Sequence, residues 1–541
     1  MKIMKKNLVI IIISVLMAFG LESCTDWLSL KPQSELILDD YWQSESQAQA
    51  VAIACYRGLN ENDNMERMIV WGELRSDNLV SGATSFDNNK IKHLDMGKIL
   101  NVDIDPYNKY SQWSSMYHVI NNCNSFLYYA PGVVSKDPNF TVGKLHSLES
   151  EVLTIRALCY FYLVRTFKEV PWIETPSIDD TQNYNVAKST EREVLDHIIS
   201  DLLRAKKSAR TDYGRADYNK GRITLNAVNA LLADVYLWDQ QYDKCVESSN
   251  EVLADPTLIL NTADLMFYNV FYKGNSSESI FELQFNDDLK YGITALPTGL
   301  AATKILYGFT STPGELAFPR YLQTGEYSVF NYPLGTGSES KSTTDVRFSD
   351  FIVEPPATST EKYATFPIFK YVGVMRTETS NGLSYYSVRS TTPKWIVYRL
   401  ADVILMKAEA LAQLDGSANL KESLELVNRT YLRSNPTSVA LDTTTYNDKR
   451  AVERLVLRER QRELLFEGKR WFDLMRLARR NNSPTSVLEF VGHKLTGDPL
   501  QQAKMSDMRG LYMPIPQSDI DVNPKLIQNS FYDESNVITL N

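Results

Sequence analysis

Cysteine and histidine are scarce in this 541-residue chain, with five of each. Cys55, Cys123, Cys159 and Cys245 each sit in a helix-like stretch, far from one another. No spacing among them suits a metal clip or a disulfide framework, so they read as small core residues. His93, His118, His146, His197 and His493 are equally scattered, and no metal or cofactor is expected. An excess of positive charge is also missing. Lys and Arg total 57 against 66 Asp and Glu, a formal net charge of −9. That argues against a nucleic-acid binder, which needs a basic face. No P-loop, nucleophile elbow, HExxH helix or dinucleotide fingerprint appears. Beyond residue 21 no apolar run approaches the ~20 residues a bilayer-spanning helix needs.

The one long apolar run, residues 8–21, follows Lys2, Lys5 and Lys6 and stops just before Cys24. It has the length and flanks of a signal-peptide h-region. Leu21-Glu22-Ser23-Cys24 resembles a bacterial lipobox, with Glu22 in place of the usual small residue. The expectation is a lipoprotein signal peptide over 1–23 and acylation of Cys24. Each buried CH₂ contributes ~0.8 kcal/mol, so several acyl chains hold a soluble body to a membrane. An ordinary secreted protein with a chance cysteine is the plainer alternative.

The rest reads as mostly α. "SESQAQAVAIACYRGL" (44–59) opens with the capping box Ser44 and Gln47, and "TEREVLDHIISDLLRAKKSA" (190–209) with Thr190 and Glu193. Residues 150–167 are apolar nearly all round, the mark of a central helix. Residues 229–256 have the offsets of a tetratricopeptide-like helix pair, with Cys245 at a small packing position, and 401–432 look like another pair. Residues 260–395 are loop-rich with short β-prone pieces such as "SIFELQF" and "WIVYRL". Helices return over 396–480, and 481–541 form an irregular, Pro-rich strap.

Five blocks together resemble the SusD/RagB family: "IRALCYFYLVRTFKEVPWI", "KGRITLNAVNALLADVYL", "YRLADVILMKAEALA", "RERQRELLFEGKRWFDLMRLAR" and "MPIPQSDIDVNPKLIQN". The resemblance covers essentially the whole chain after the leader. It implies about four divergent helix pairs, with an N-terminal SusD-like region (24–259) and a RagB/SusD region (260–541) in one compact unit. It further implies a lipid-anchored outer-membrane protein at the cell surface. Such a protein captures oligosaccharides, or in some members peptides. It passes them to a SusC-like TonB-dependent transporter over which it acts as a lid. No catalysis is implied.

Sugar capture needs exposed aromatic faces together with planar amides, carboxylates and guanidinium groups. Two loop regions offer them, and loops are where such groups are displayed. Residues 71–113 offer Arg75, Asp77, Asn78, Phe86, Asn88 and Tyr107. Residues 287–341 offer Tyr291, Tyr307, Tyr327 and Tyr332, with Tyr321 and Phe330 beside them. Trp42, Trp113, Trp238 and Trp471 fall inside helical patterns and are assigned to the core. Glu463, Glu467 and Asp473 could be imagined as an acid/base set, but alternating Arg and Glu along 458–479 reads better as ion pairs between packed helices. A surface glycoside hydrolase and a purely structural repeat protein stay open as alternatives.

Overall fold

Ser44 starts the first described helix as the capping box requires. Gln47 Oε1 accepts from the Ser44 backbone N–H at 2.9 Å. Thr190 and Glu193 do the same, with Glu193 Oε2 2.8 Å from the Thr190 N–H. In this computed structural model the described residues are 41–81, 94–178, 182–285, 316–322, 329–330, 345–352, 365–366, 368–371, 374–378, 384–388, 393–495 and 499–533. The leader and Cys24 lie outside them.

Four helix pairs form the scaffold. They are α1 (Glu45–Leu59) with α2 (Ser114–Val133), and α3 (Val142–Phe167) with α4 (Glu191–Lys206). Then come α5 (Leu225–Trp238) with α6 (Tyr242–Leu253), and α7 (Leu400–Leu414) with α8 (Ser417–Ser434). The expected central helix is α3, buried at every residue from Leu148 to Phe167. Small residues let neighbouring axes approach. Cys245 on α6 points its thiol at the Met406 carbonyl of α7, and Ala233 and Ala408 are wholly buried. Two further helices, α9 (Lys449–Glu463) and α10 (Arg470–Asn481), complete the C-terminal helical block. One hydrophobic cluster contains residues from Trp42 to Leu526, including Trp42, Trp113, Trp238 and Trp471. The four described cysteines are free and buried in it.

Strands are few and short. β1 (Val80–Ser81), β3 (Leu316–Pro319) and β4 (Thr365–Phe366) make a three-stranded sheet in the order β1-β3-β4. β2 (Ser279–Leu283) pairs antiparallel with β7 (Trp395–Arg399), and β5 (Val374–Glu378) with β6 (Ser384–Val388). β2 and β7 are the two β-prone pieces seen in the sequence. Both are fully buried, and β7 runs directly into α7.

The structure corrects the loop reading at 71–81. The helix Asn62–Ile69 continues as a π-helical turn, Val70–Leu74, and the polar run after it stays buried. The turn lies against Gly468. A Cβ on Gly72 would overlap the Gly468 carbonyl, and a Cβ on Gly468, itself at φ +70, would lie 2.9 Å from the Met68 carbonyl oxygen. Two backbones touch here, and neither position has room for a side chain.

A candidate ligand site at the loop bases

The polar run Glu73–Asn78 is a built frame, not a displayed surface. Arg75 donates from Nη1 to Leu511 O and from Nη2 to Gly510 O, each at 2.6 Å, with its guanidinium 4.5 Å from the Trp471 ring centroid. Asp77 is clamped by Arg470 through Nε at 2.8 Å and Nη2 at 3.0 Å. Burial alone would raise the Asp77 carboxyl. The Arg470 charge and hydrogen bonds outweigh it and hold the group below the usual carboxylate range. Asn78 donates to Glu73 Oε1 at 2.7 Å and accepts from Gln461 Nε2 at 2.7 Å. Burial pushes Glu73 up to about 7.

Arg75, Asp77 and Asn78 are 6 %, 1 % and 0 % exposed. Their polar groups are spent on residues 461–511. As ligand contacts these three assignments are therefore corrected: their side chains are buried and spent on internal bonds. The sequence shows them as a polar run among Gly and Ser, because Gln461, Arg470 and residues 510–511, which bury them, are hundreds of residues away.

In the β1–β3 pairing Val80 faces Ala317 and Ser81 faces Leu316. Ser81 and Leu316, the described residues that border 82–93 and 286–315, therefore lie side by side. Tyr321 adds a second tie, its hydroxyl donating to the Asp77 carbonyl at 3.2 Å. Arg462 Nη1 donates to Val329 O at 2.7 Å, fixing the next segment, and Phe330 is buried beside it. Phe86, Asn88, Tyr291, Tyr307, Tyr327 and Tyr332 lie outside the described residues.

Tyr107 is described, and it is 76 % exposed. Its turn is tied down on both sides. Asn108 Nδ2 donates to Asp95 O at 3.0 Å, in the first turn of the helix Leu94–Leu100, and the Gln517 N–H donates to Pro106 O at 3.1 Å. The backbone is fixed while the ring stays open. Tyr110, three residues on, is fully buried, with its hydroxyl on Glu66 at 2.9 Å.

The imagined acid/base set does not face solvent. Arg399 bonds Glu278, Glu463 and Glu467 at 2.6, 2.7 and 2.8 Å, and Arg347 bonds Asp345, Glu459 and Glu463 at 2.6, 2.8 and 2.9 Å. Asp473 is held by Arg460 and Arg476 at 3.0 and 2.8 Å. Each of these carboxylates is buried. Through Arg347 and Lys370 the cluster ties residues 345–352 and 368–371 to α9 and the turn after it. Among the described residues no group of three or more His, Cys, Asp or Glu side chains has the arrangement of a metal site.

Comparison with known proteins adds an independent line. Residues 318–532 match the model of the SusD family, and residues 26–237 match a model described as starch-binding associating with outer membrane. Among characterised sequences, SusD-like protein P38 of Formosa agariphila is 25% identical over 496 residues, covering 87% of this chain and 91% of its own. SusD-like protein P2 of the same organism is 25% identical and covers 97% and 99%. A SusD superfamily structure from Bacteroides vulgatus superposes with a TM-score of 0.69 at 19% identity, covering 91% of this chain and all of that one. A laminarin-binding SusD-like protein superposes with a TM-score of 0.64 at 20% identity, covering 90% and 99%.

Proposed function

The chain belongs to the SusD/RagB family, and from that premise we propose that it captures oligosaccharides at the cell surface and hands them to a SusC-like TonB-dependent outer-membrane transporter, closing over it as a lid. The observation that carries this reading is the β1–β3 pairing, which sets Ser81 and Leu316, at the edges of the two aromatic-rich regions, side by side near the ion-paired Asp77 and Arg470. A recognition surface needs fixed support of this kind. The laminarin-binding relative supports a glycan as the ligand class. Lipid on Cys24 would keep the protein at the outer membrane. Burial of Glu463, Glu467 and Asp473 in ion pairs supports binding without catalysis, because none of the three can reach a glycosidic oxygen.

A handover protein should bind moderately. Affinities from micromolar to millimolar correspond to roughly −8 to −4 kcal/mol, which one or two stacking platforms and a few hydrogen bonds can supply. The test is calorimetry of the mature chain against neutral oligosaccharides, with peptides as the control class. Tyr107, Phe86, Tyr291, Tyr307, Tyr327 and Tyr332 are each changed to Ala. At least one variant should lose about tenfold in affinity at an unchanged melting temperature. Peptide binding with no glycan binding would move the substrate class and keep the capture role. Absence of both would end it.

A further inference from the structure

A cleft of about 770 Å³ lies between α1, the first turns of α3, residues 210–222, the end of β2 and Lys394. Its volume falls in the range of small-molecule sites, roughly 300–1,000 Å³. The floor is a fixed construction. Glu151, 1 % exposed, accepts from Tyr56 Oη at 2.6 Å and from Arg222 Nε and Nη2 at 3.0 and 2.6 Å. Tyr56 Oη in turn accepts from the Ile223 N–H at 2.9 Å. The Tyr213 ring lies under two guanidinium groups, Arg222 at 4.3 Å and Arg210 at 5.5 Å from its centroid.

The charges around the cleft do not cancel. Glu45 is paired with Lys144 at 2.8 Å, Glu151 with Arg222 at 2.6 Å and Asp217 with Arg215 at 2.7 Å. Every lining carboxylate is therefore engaged. Two lining cations are left without an ion pair among the described residues. Arg210 uses only Nε, on Ser147 Oγ at 3.1 Å, so its two terminal nitrogens are free to donate. Lys394 donates only to the Lys273 carbonyl at 3.3 Å, and its charge acts on the buried Glu282 without forming a salt bridge. Beside them are one half-open aromatic ring, Tyr218 at 45 % exposure, and the exposed side chain of Ile53 at 65 %. Arg215 sits 4.5 Å from the Tyr218 centroid and steadies the ring.

A stacking ring beside a free, planar guanidinium and a free ammonium suits a sugar ring that carries negative charge. We propose that this cleft is a second carbohydrate site, selective for oligosaccharides bearing carboxylate or sulfate groups. Tyr218 supplies the platform, and Arg210 and Lys394 supply the anion contacts. The neutralised Glu151–Arg222 pair holds the wall in place without competing for the ligand.

The full mature chain is titrated with hexagalacturonate as the carboxylate probe, a κ-carrageenan hexasaccharide as the sulfate probe, laminarihexaose as the neutral probe and hexaglutamate as a peptide polyanion. At least one anionic glycan should bind, more weakly as salt is raised. Tyr218→Ala and Arg210→Gln should each weaken it about tenfold, while the melting temperature and any laminarihexaose binding stay unchanged. The carboxylate and sulfate probes then report which group is read. The proposal is overturned if neither anionic glycan binds, if both variants bind like wild type, or if hexaglutamate binds equally well. Failure of the loop site gives a different pattern. Tyr107→Ala and its companions would then leave every affinity unchanged, while Tyr218→Ala still removes the anionic one.

Discussion

At the scale of single residues, polar groups in this protein mostly hold the backbone in place. Arg75 is the sharpest case, because it caps two carbonyls near the C-terminus and packs on Trp471. Arg75→Met should lower stability by about 2–4 kcal/mol by leaving those acceptors buried and unpaired. Glycan affinity of the folded fraction should hold, and calorimetry beside thermal unfolding separates the two effects. A stable variant with lost binding would return Arg75 to the ligand. Gly72 gives a steric counterpart. Gly72→Ala forces a methyl into the Gly468 carbonyl, and either the π turn or the segment entering α10 must move. A large drop in melting temperature is expected, whereas Gly132→Ala, with nothing within 4 Å of the added carbon, should shift stability by under about 1 kcal/mol.

At the scale of elements, the buried ion pairs around α7, α9 and α10 set a pH profile. Burial would raise Asp402, but Lys469 and Arg460 outweigh it and hold the carboxyl down at about 2. Glu409, Glu463 and Glu467 are likewise held below their usual range, against burial, by facing guanidinium and ammonium groups. Such groups contribute stability above their unfolded pKa and lose it as pH falls through the folded value. For Asp402 alone that is about 2 kcal/mol, lost between roughly pH 4 and 2. Glu73 and Glu459 act in the opposite sense. Burial raises both to about 7, so their contribution is complete below their unfolded pKa and declines as pH rises through 7. Melting temperature should therefore climb from pH 2 to about 4 and fall again toward 7, and Glu73→Gln should flatten the upper limb. Arg347→Met leaves Asp345, Glu459 and Glu463 short of a cation and should cost about 3–5 kcal/mol. A melting curve unchanged by that substitution would contradict the anchoring role given to the cluster.

The same scale explains what could be read without coordinates. The capping boxes at Ser44 and Thr190, the all-round apolar α3 and the strands β2 and β7 are local patterns, and each appears where its residues predicted. The ion pairs of Glu463, Glu467 and Asp473 were also legible, because alternating Arg and Glu on a helix face calls for partners. Arg75, Asp77 and Asn78 were misplaced because burial there depends on Gln461, Arg470 and residues 510–511, which no local window contains. β1 has two residues, too few for an alternation to show. The cleft beside Tyr218 left no trace either, since its walls come from five separated segments.

At the scale of the whole molecule, the proposed lipid on Cys24 would hold the protein at the membrane. Cys24→Ala should release the protein from membranes or stall its processing, and an inhibitor of lipoprotein signal cleavage should make the precursor accumulate. Normal membrane retention of the variant would remove the anchor from the account.

The frame beneath the loops also has a consequence in time. Arg75 finds its acceptors 435 and 436 residues further along the chain, and Asp77 finds Arg470 393 residues on. During synthesis from the N-terminus, the helix pairs α1–α2 to α5–α6 can assemble as they emerge. The Arg75 and Asp77 contacts cannot close until residue 511 has been made. Long-range closure of this kind is slow to find and arrives late. Refolding should show an early helical phase and a later, slower one reported by burial of Trp471. A chain cut before residue 510 should complete the first and never reach the second.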